Sequence, residues 1–252
     1  MQAALKQKTI QDYEEGYRIY KRLSRLGYMT LPTYEVAMKL LGKLGKFDEV
    51  DRLWDQLVEL DHSNQVNVER RHIDPVIAAA RMQAAADEGD IQGAARVLDY
   101  MERNGIAANK VHFTSAINAC VNAAQHDRAK AAQRFFDKMV ANDIVPDIVA
   151  YCSLLRAYQG ESSECCLRLI ADMKGRGITP NKVFAENFLF TLLGIRKAQR
   201  KFTKRSMLSS LKQRSAADRQ AARAFIDDLR DENIRLTLAG KVIDAALQAI
   251  PY

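Results

Sequence analysis

The chain of 252 residues is 48% hydrophobic, 8% aromatic and 27% charged, with only 12 Gly and 5 Pro, a globular composition that excludes long linkers and disorder. Its net charge of +7 is uneven: residues 1–109 hold 15 basic and 17 acidic side chains, 110–181 hold 9 and 7, and 182–252 hold 14 and 7. No apolar run approaches membrane-spanning length and Met1 to Gln11 has no apolar h-region, so no membrane insertion is expected.

Asp12, Glu14 and Glu15 arrive too early for an organellar presequence, which leaves open whether an import signal once preceded the chain. Cys120, Cys152, Cys165 and Cys166 lack CxxC spacing, which points to reduced thiols in the core. His62, His72, His112 and His126 form no ligand pair at i, i+4, so no metal is expected. Nucleophile elbows, P-loops, dinucleotide fingerprints and paired catalytic carboxylates are all missing from the sequence, and no cofactor or small-molecule substrate is expected.

In chain order, residues 1–30 read as a partial unit whose helix runs through Tyr17, Tyr20 and Leu23 to Gly27, a cap for the helices after it. From Pro32, apolar residues recur at spacings of three and four: Tyr34, Met38 and Leu41, then Val50, Leu53, Trp54 and Leu57. Residues 63–71 are polar and read as a loop. An alanine-rich helix from Pro75 precedes one carrying Ala94, Val97, Leu98 and Met101. Phe113, Ile117 and Cys120 pair with Phe135, Phe136 and Met139, and Tyr151, Leu154, Leu155 and Tyr158 pair with Cys166, Leu169, Ile170 and Met173. A sixth pair starts at 182–193, is interrupted, and resumes at Ala222, Phe225, Ile226 and Leu229. The helix from Leu238 to Ile250 closes the chain.

The endings of the pairs superimpose without gaps: Asn104-Gly105-Ile106-Ala107-Ala108-Asn109, Asn142-Asp143-Ile144-Val145-Pro146-Asp147 and Arg176-Gly177-Ile178-Thr179-Pro180-Asn181, with a weaker Glu232-Asn233-Ile234. Gly, Asn or Asp can take the left-handed conformation that closes a helix, and Pro forbids its continuation. The same template upstream gives Leu26-Gly27-Tyr28 and Leu60-Asp61-His62. Stops at 27, 61, 105, 143, 177 and 233 make one helix pair repeated, with insertions, which is the signature of a solenoid.

A Tyr or Phe early in the first helix, Ala then Phe-x-x-Met in the second, and Gly-Ile-x-Pro-Asp/Asn at the end resemble the pentatricopeptide repeat, most closely over 110–181. The resemblance implies an all-α, right-handed solenoid of antiparallel helix pairs whose first helices line a groove for single-stranded RNA, one base per unit. It makes the second residue of each unit pack on the base: Val76, Val111, Val149 and Val183. Without it, these four read as ordinary packing residues. It makes the fifth and last residues read the base edge: Ala79 with Asn109, Thr114 with Asp147, Cys152 with Asn181, and Glu186 without an evident partner. Thr114 with Asp147 resembles the guanine-reading pair. Ala79, Cys152 and Glu186 depart from the pattern, so the groove is expected to read little sequence.

A second candidate surface is the acid-free block Arg196, Lys197, Arg200, Lys201, Phe202, Lys204, Arg205, Lys212 and Arg214, where cations can neutralise phosphates and Phe202 can stack. The bland alternative is a solvated loop or a basic amphipathic helix. The expected organisation is a cap at 1–30, repeats at 31–193, a basic insertion at 194–218, and a degenerate repeat with a cap at 219–252. The expected function is a non-catalytic, organellar RNA-binding protein, mitochondrial before chloroplast, with single-stranded or ribosomal RNA and ribonucleoprotein subunits as partners. The alternative is a protein scaffold.

Overall fold

The computed structural model describes residues 1–2, 9–63, 73–124, 127–195 and 203–250, and within these every regular element is a helix. The loop expected at 63–71 lies almost wholly outside them. The chain divides into two units, residues 1–145 and 146–252.

The first unit contains α1 (Ile10–Arg25), α2 (Leu31–Lys43), α3 (Phe47–Ser63), α4 (Pro75–Glu88), α5 (Ile91–Arg103), α6 (Lys110–Asn122) and α7 (Arg128–Ala141). Side chains just ahead of several helices satisfy amide groups that have no intrahelical partner: Thr9 caps α1, Asp74 caps α4, Asp90 caps α5 and Asn109 caps α6. The first helices α2, α4 and α6 pack successively on one another; α3 and α5 each bridge their own first helix and the next, and α7 packs on α6. The alanines of α4 permit the close approach: a Cβ added at Gly42 would sit 3.2 Å from the Cβ of Ala84. Met38, Leu40, Leu41, Leu57, Ile77, Met82 and Met101 are fully buried between the two rows, each contributing about 1.5–3 kcal/mol of transfer free energy.

The second unit contains α8 (Ile148–Ala157), α9 (Ser163–Gly175), α10 (Lys182–Leu192), α11 (Lys204–Lys212), α12 (Ala216–Asp231) and α13 (Leu238–Gln248). Here α8 packs on α10, with α9 bridging them. The partner of α10 is α12, joined through Phe188 and Phe225 with ring centroids 4.3 Å apart, so the sixth pair resumes after an interruption. Within that interruption α11 forms, with Met207 and Leu211 fully buried, and it packs against α13. Arg223 donates to the carbonyls of Leu247 and Ile250 at 2.7 and 2.6 Å, satisfying the acceptors left open at the end of α13.

The repeated endings are left-handed closures. Gly105, Asp143, Gly177 and Asn233 have φ of 64°, 58°, 74° and 57°. The adjoining Ile106, Ile144, Ile178 and Ile234 donate their N–H to the carbonyls of Met101, Met139, Met173 and Leu229 at 2.8–3.1 Å, the six-to-one bond that closes a helix on its last turn. Gly27 closes α1 in the same way, at φ 72°.

Asp61 does not. The helix continues through it to Ser63, and its carboxylate accepts from the Tyr100 hydroxyl at 2.7 Å and the Ile73 amide at 3.4 Å. The Asp61 carboxylate ties α3 to α5 and to the entry of α4.

Candidate functional site

The first helices α6, α8 and α10 start from capping side chains, and each cap sets the register of its first turn. Asn109 accepts from the Val111 amide at 2.9 Å. Asp147 accepts from Val149 and Ala150 at 3.0 and 3.1 Å, and Asn181 from Val183 and Phe184 at 3.0 and 2.8 Å. The residues expected to end one unit are therefore the N-caps of the next. The residue two places after the cap is then on the open side of the first turn, and the residue five places after it lies one turn further along the same face.

Val76 and Val111 in the first unit are 50% and 56% exposed, and Val149 and Val183 in the second are 55% and 54% exposed. A valine serving as packing would be buried like Ile77 or Ile117, its neighbours in the same helices. The reading of these four as ordinary packing residues is thus corrected: they present half a branched apolar side chain to the outside at one recurring position. Ala79, Thr114, Cys152 and Glu186 are part-buried one turn on.

The capping frame also supplies a residue that the sequence pattern did not reveal. Thr237, three places after Ile234, caps α13 by accepting from the Gly240 amide at 3.1 Å, so it stands to Glu186 as Asn181 stands to Cys152. The signal was the spacing from the isoleucine, masked by the absence of Pro and Asn around it. Applied to Thr30, the N-cap of α2, the same frame puts Pro32 and Glu35 in the second and fifth places, with Glu35 paired to Lys39 at 2.5 Å.

Adjacent first helices in the first unit are locked by His112. It is 1% exposed; Nδ1 accepts from the Asn109 amide at 3.1 Å and Nε2 reaches the Pro75 carbonyl at 2.8 Å. The first contact requires an unprotonated Nδ1, so the proton is on Nε2 and is donated to Pro75. Burial holds the imidazole pKa below its usual value, against the opposing effect of the bond to the Pro75 carbonyl. The lock joins the first turns of α4 and α6, the turns that carry Val76 and Val111.

Between α3, α4 and α5, Arg81 is buried and bonds to Asp51 at 2.6 Å and Asp90 at 3.3 Å. Gly93 makes room for it, since a Cβ there would lie 1.9 Å from Asp90 Oδ2. Cys120 and Cys166 are buried, and burial pushes both thiols up to about 12.

Of the basic insertion, Arg196, Lys197, Arg200, Lys201 and Phe202 lie outside the described residues, as do the side chains of Lys204 and Arg205. Lys212 and Arg214 are exposed. The Arg214 guanidinium donates to the Gly194 carbonyl at 3.3 Å and occupies the space that a Cβ at Gly194 would take, so it holds the two ends of the insertion together. Among the described residues no helix is long and apolar enough to cross a membrane, and no group of three potential metal ligands occurs.

Residues 69–212, more than half of the chain, match the pentacotripeptide-repeat region of PRORP, and residues 32–62 match the PPR repeat. Among curated proteins, the chain is 21% identical over 161 residues to the Arabidopsis thaliana small ribosomal subunit protein mL103 (rPPR7), covering 63% of this chain and 36% of that protein. It is 38% identical over 81 residues to the chloroplastic pentatricopeptide repeat-containing protein At3g63370 of the same plant, covering 32% of this chain and 8% of the relative. The chain thus spans well under half of either relative. Among solved structures, the pentatricopeptide repeat protein PPR10 in complex with an 18-nt psaJ RNA element superimposes with a TM-score of 0.56 at 15% identity, covering 88% of this chain and 28% of that one.

Proposed function

Because the chain belongs to the pentatricopeptide repeat family, we propose that it binds single-stranded RNA along its first helices as a non-catalytic component of an organellar ribonucleoprotein. The observation that carries this reading is the recurring half-exposure of Val76, Val111, Val149 and Val183. Burial of apolar area drives folding, so four exposed valines at one repeat position represent stabilisation left unused by the fold. A planar base laid against such a branched side chain recovers it, and the fifth residue and the next cap offer groups to its edge.

Sequence reading by these pairs is weak. Ala79 offers no hydrogen bond, Cys152 a poor one and Glu186 a negative charge, whereas Thr114 and Asp147 provide a hydroxyl and a carboxylate. Affinity then rests on stacking and on phosphate contacts, to which Arg196, Lys197, Arg200 and Lys201 of the insertion contribute. The ribosomal name of one relative and the chloroplastic names of others support an organellar ribonucleoprotein. Mitochondrion and plastid are distinguished by fractionation.

A scaffold role is the second reading, favoured by the first unit: Glu35 stands at a fifth position and Asp74 caps the next helix, and Lys43, the nearby cation between α2 and α4, is already paired with Asp87 at 2.7 Å. The experiment is ultraviolet crosslinking in the native extract with sequencing of the bound RNA, beside a Val111→Asp/Val149→Asp variant. Short single-stranded RNA lost from the variant is the expected result. No crosslinked RNA at all rejects the proposal in favour of the scaffold.

A further inference from the structure

The repeat frame singles out one residue that departs from its equivalents. After the left-handed closures at 105, 143, 177 and 233 the chain places an isoleucine, Ile106, Ile144, Ile178 or Ile234, none of which is fully exposed and the first of which is buried. After Gly27 it places Tyr28, 67% exposed, although its amide makes the same closing bond, to the Leu23 carbonyl at 3.0 Å. The backbone motif is kept and the covering side chain is replaced by a largely exposed aromatic ring.

The helix ending there is also distinctive in its charge. Arg18, Arg22 and Arg25 are exposed and have no carboxylate partner among the described residues, whereas the neighbouring Lys21 is paired with Glu49 at 2.8 Å. The three lie at i, i+4 and i+7, one face of a helix spanning about 10 Å. A cleft of about 520 Å³ runs beside them, lined by Tyr17, Arg18, Lys21, Arg22, Arg25 and Leu26. The acids of α1, Asp12, Glu14 and Glu15, lie in its first half, where Glu14 and Glu15 share a cleft with Arg18 and Arg22, so a polyanion is attracted most to the end where Arg25 and Tyr28 stand.

We infer that the C-terminal half of α1 and Tyr28 form a second contact for single-stranded RNA, distinct from the row of first helices, with Arg18, Arg22 and Arg25 on phosphates and the Tyr28 ring stacked on a base. The inference rests on the RNA-binding reading above. Guanidinium groups running past the last acid of a helix, with an exposed ring three residues beyond the final one, are the combination that holds a single strand without reading it. An acidic protein segment would use the cations but has no need of the ring.

The test uses a fluorescein-labelled 20-nucleotide poly(U) and the full chain, with affinity measured between 50 and 200 mM salt. Arg18→Gln/Arg22→Gln/Arg25→Gln should flatten the log–log salt slope by about 2, roughly 0.7 for each phosphate contact on a single strand. Tyr28→Ala should weaken binding about tenfold and Tyr28→Phe should not, as expected for stacking. A triple variant with wild-type slope, or Tyr28→Ala with wild-type affinity, overturns the inference.

A Val76→Asp/Val111→Asp/Val149→Asp/Val183→Asp variant separates the two sites. If it alone weakens binding, the first helices hold RNA and α1 does not. If no variant changes poly(U) affinity but the arginine variant loses binding to polyglutamate, the face belongs to an acidic protein and the inference fails. If the wild type binds no poly(U), both readings fail.

Discussion

Replacing His112 with Leu, which has a similar volume, tests whether the first helices are held in register by side-chain bonds. The substitution removes an acceptor for the Asn109 amide and a donor to the Pro75 carbonyl. The Asn109 amide is left without a partner, at a cost of about 1–3 kcal/mol, whereas the Pro75 carbonyl loses one of two donors and keeps the intrahelical bond of its first turn. Both groups lie at helix starts near solvent, and water will recover part of this, so a loss of about 2 kcal/mol is expected at pH 7.5. The pH dependence gives the sharper reading. The folded pKa lies below the unfolded one, so the stability from His112 is fully present above about pH 6.5 and is lost as pH falls through the folded pKa. The gap between wild type and His112→Leu should therefore shrink on going from pH 7.5 to 5.5, by at most about 1.4 kcal/mol per pH unit. Urea unfolding monitored by circular dichroism measures it. A gap that is constant with pH, or that widens on acidification, refutes the assigned tautomer and the lock.

Single positions carry further expectations. Asp143→Gly, at φ 58°, should raise stability by about 0.5–1 kcal/mol because glycine adopts this conformation without the Cβ penalty; a destabilised variant in the same urea assay would contradict the closure. Gly93→Ala should cost more than about 2 kcal/mol, approaching the scale of breaking a buried ion pair, since its Cβ would displace Asp90 from Arg81; unchanged stability would show that the cluster is slack. With a thiol reagent at pH 8, Cys152 and Cys165 should react in the folded protein while Cys120 and Cys166, with thiols pushed up to about 12, react only on unfolding; four equally fast thiols would contradict their burial.

Much of the fold could be read from the sequence because its punctuation is chemical. Left-handed backbone restricts the closing position to Gly, Asn or Asp, so 105, 143, 177 and 233 stood out, and each proved to be left-handed. The same rule misled at Asp61, whose carboxylate serves tertiary bonds from Tyr100 and Ile73, partners distant in sequence. Gly45 and Gly89 close first helices in the same conformation but carry Lys46 and Asp90 in place of the isoleucine, and Gly194, which does carry Ile195, stands at the edge of the basic block. Helix α11 was read within a basic block because Lys204, Arg205 and Lys212 dominate its composition, yet Met207 and Leu211 bury one side of it.

The candidate site was legible only through resemblance. A valine two residues after a helix cap can face either way, and periodicity alone does not separate Val111 from its buried neighbour Phe113. That distinction comes from the packing of α4 on α6 and of α8 on α10, which takes up the other faces and leaves this one open. The pairing of Glu186 with Thr237 was hidden by the residues of the insertion between them and by the missing Pro-Asn signature, and it emerged only from the capping bond to Gly240.

The central claim, that the exposed valines hold RNA bases, is tested most directly by a binding measurement on the valine-to-aspartate quadruple variant, with helicity by circular dichroism as the control. With a labelled 20-nucleotide single strand at 100 mM salt, native helicity and a loss of affinity of more than about tenfold are expected, since covering the exposed half of each valine side chain is worth about 1 kcal/mol. Native helicity with wild-type affinity would contradict it and would leave the four valines as an apolar row with some other occupant.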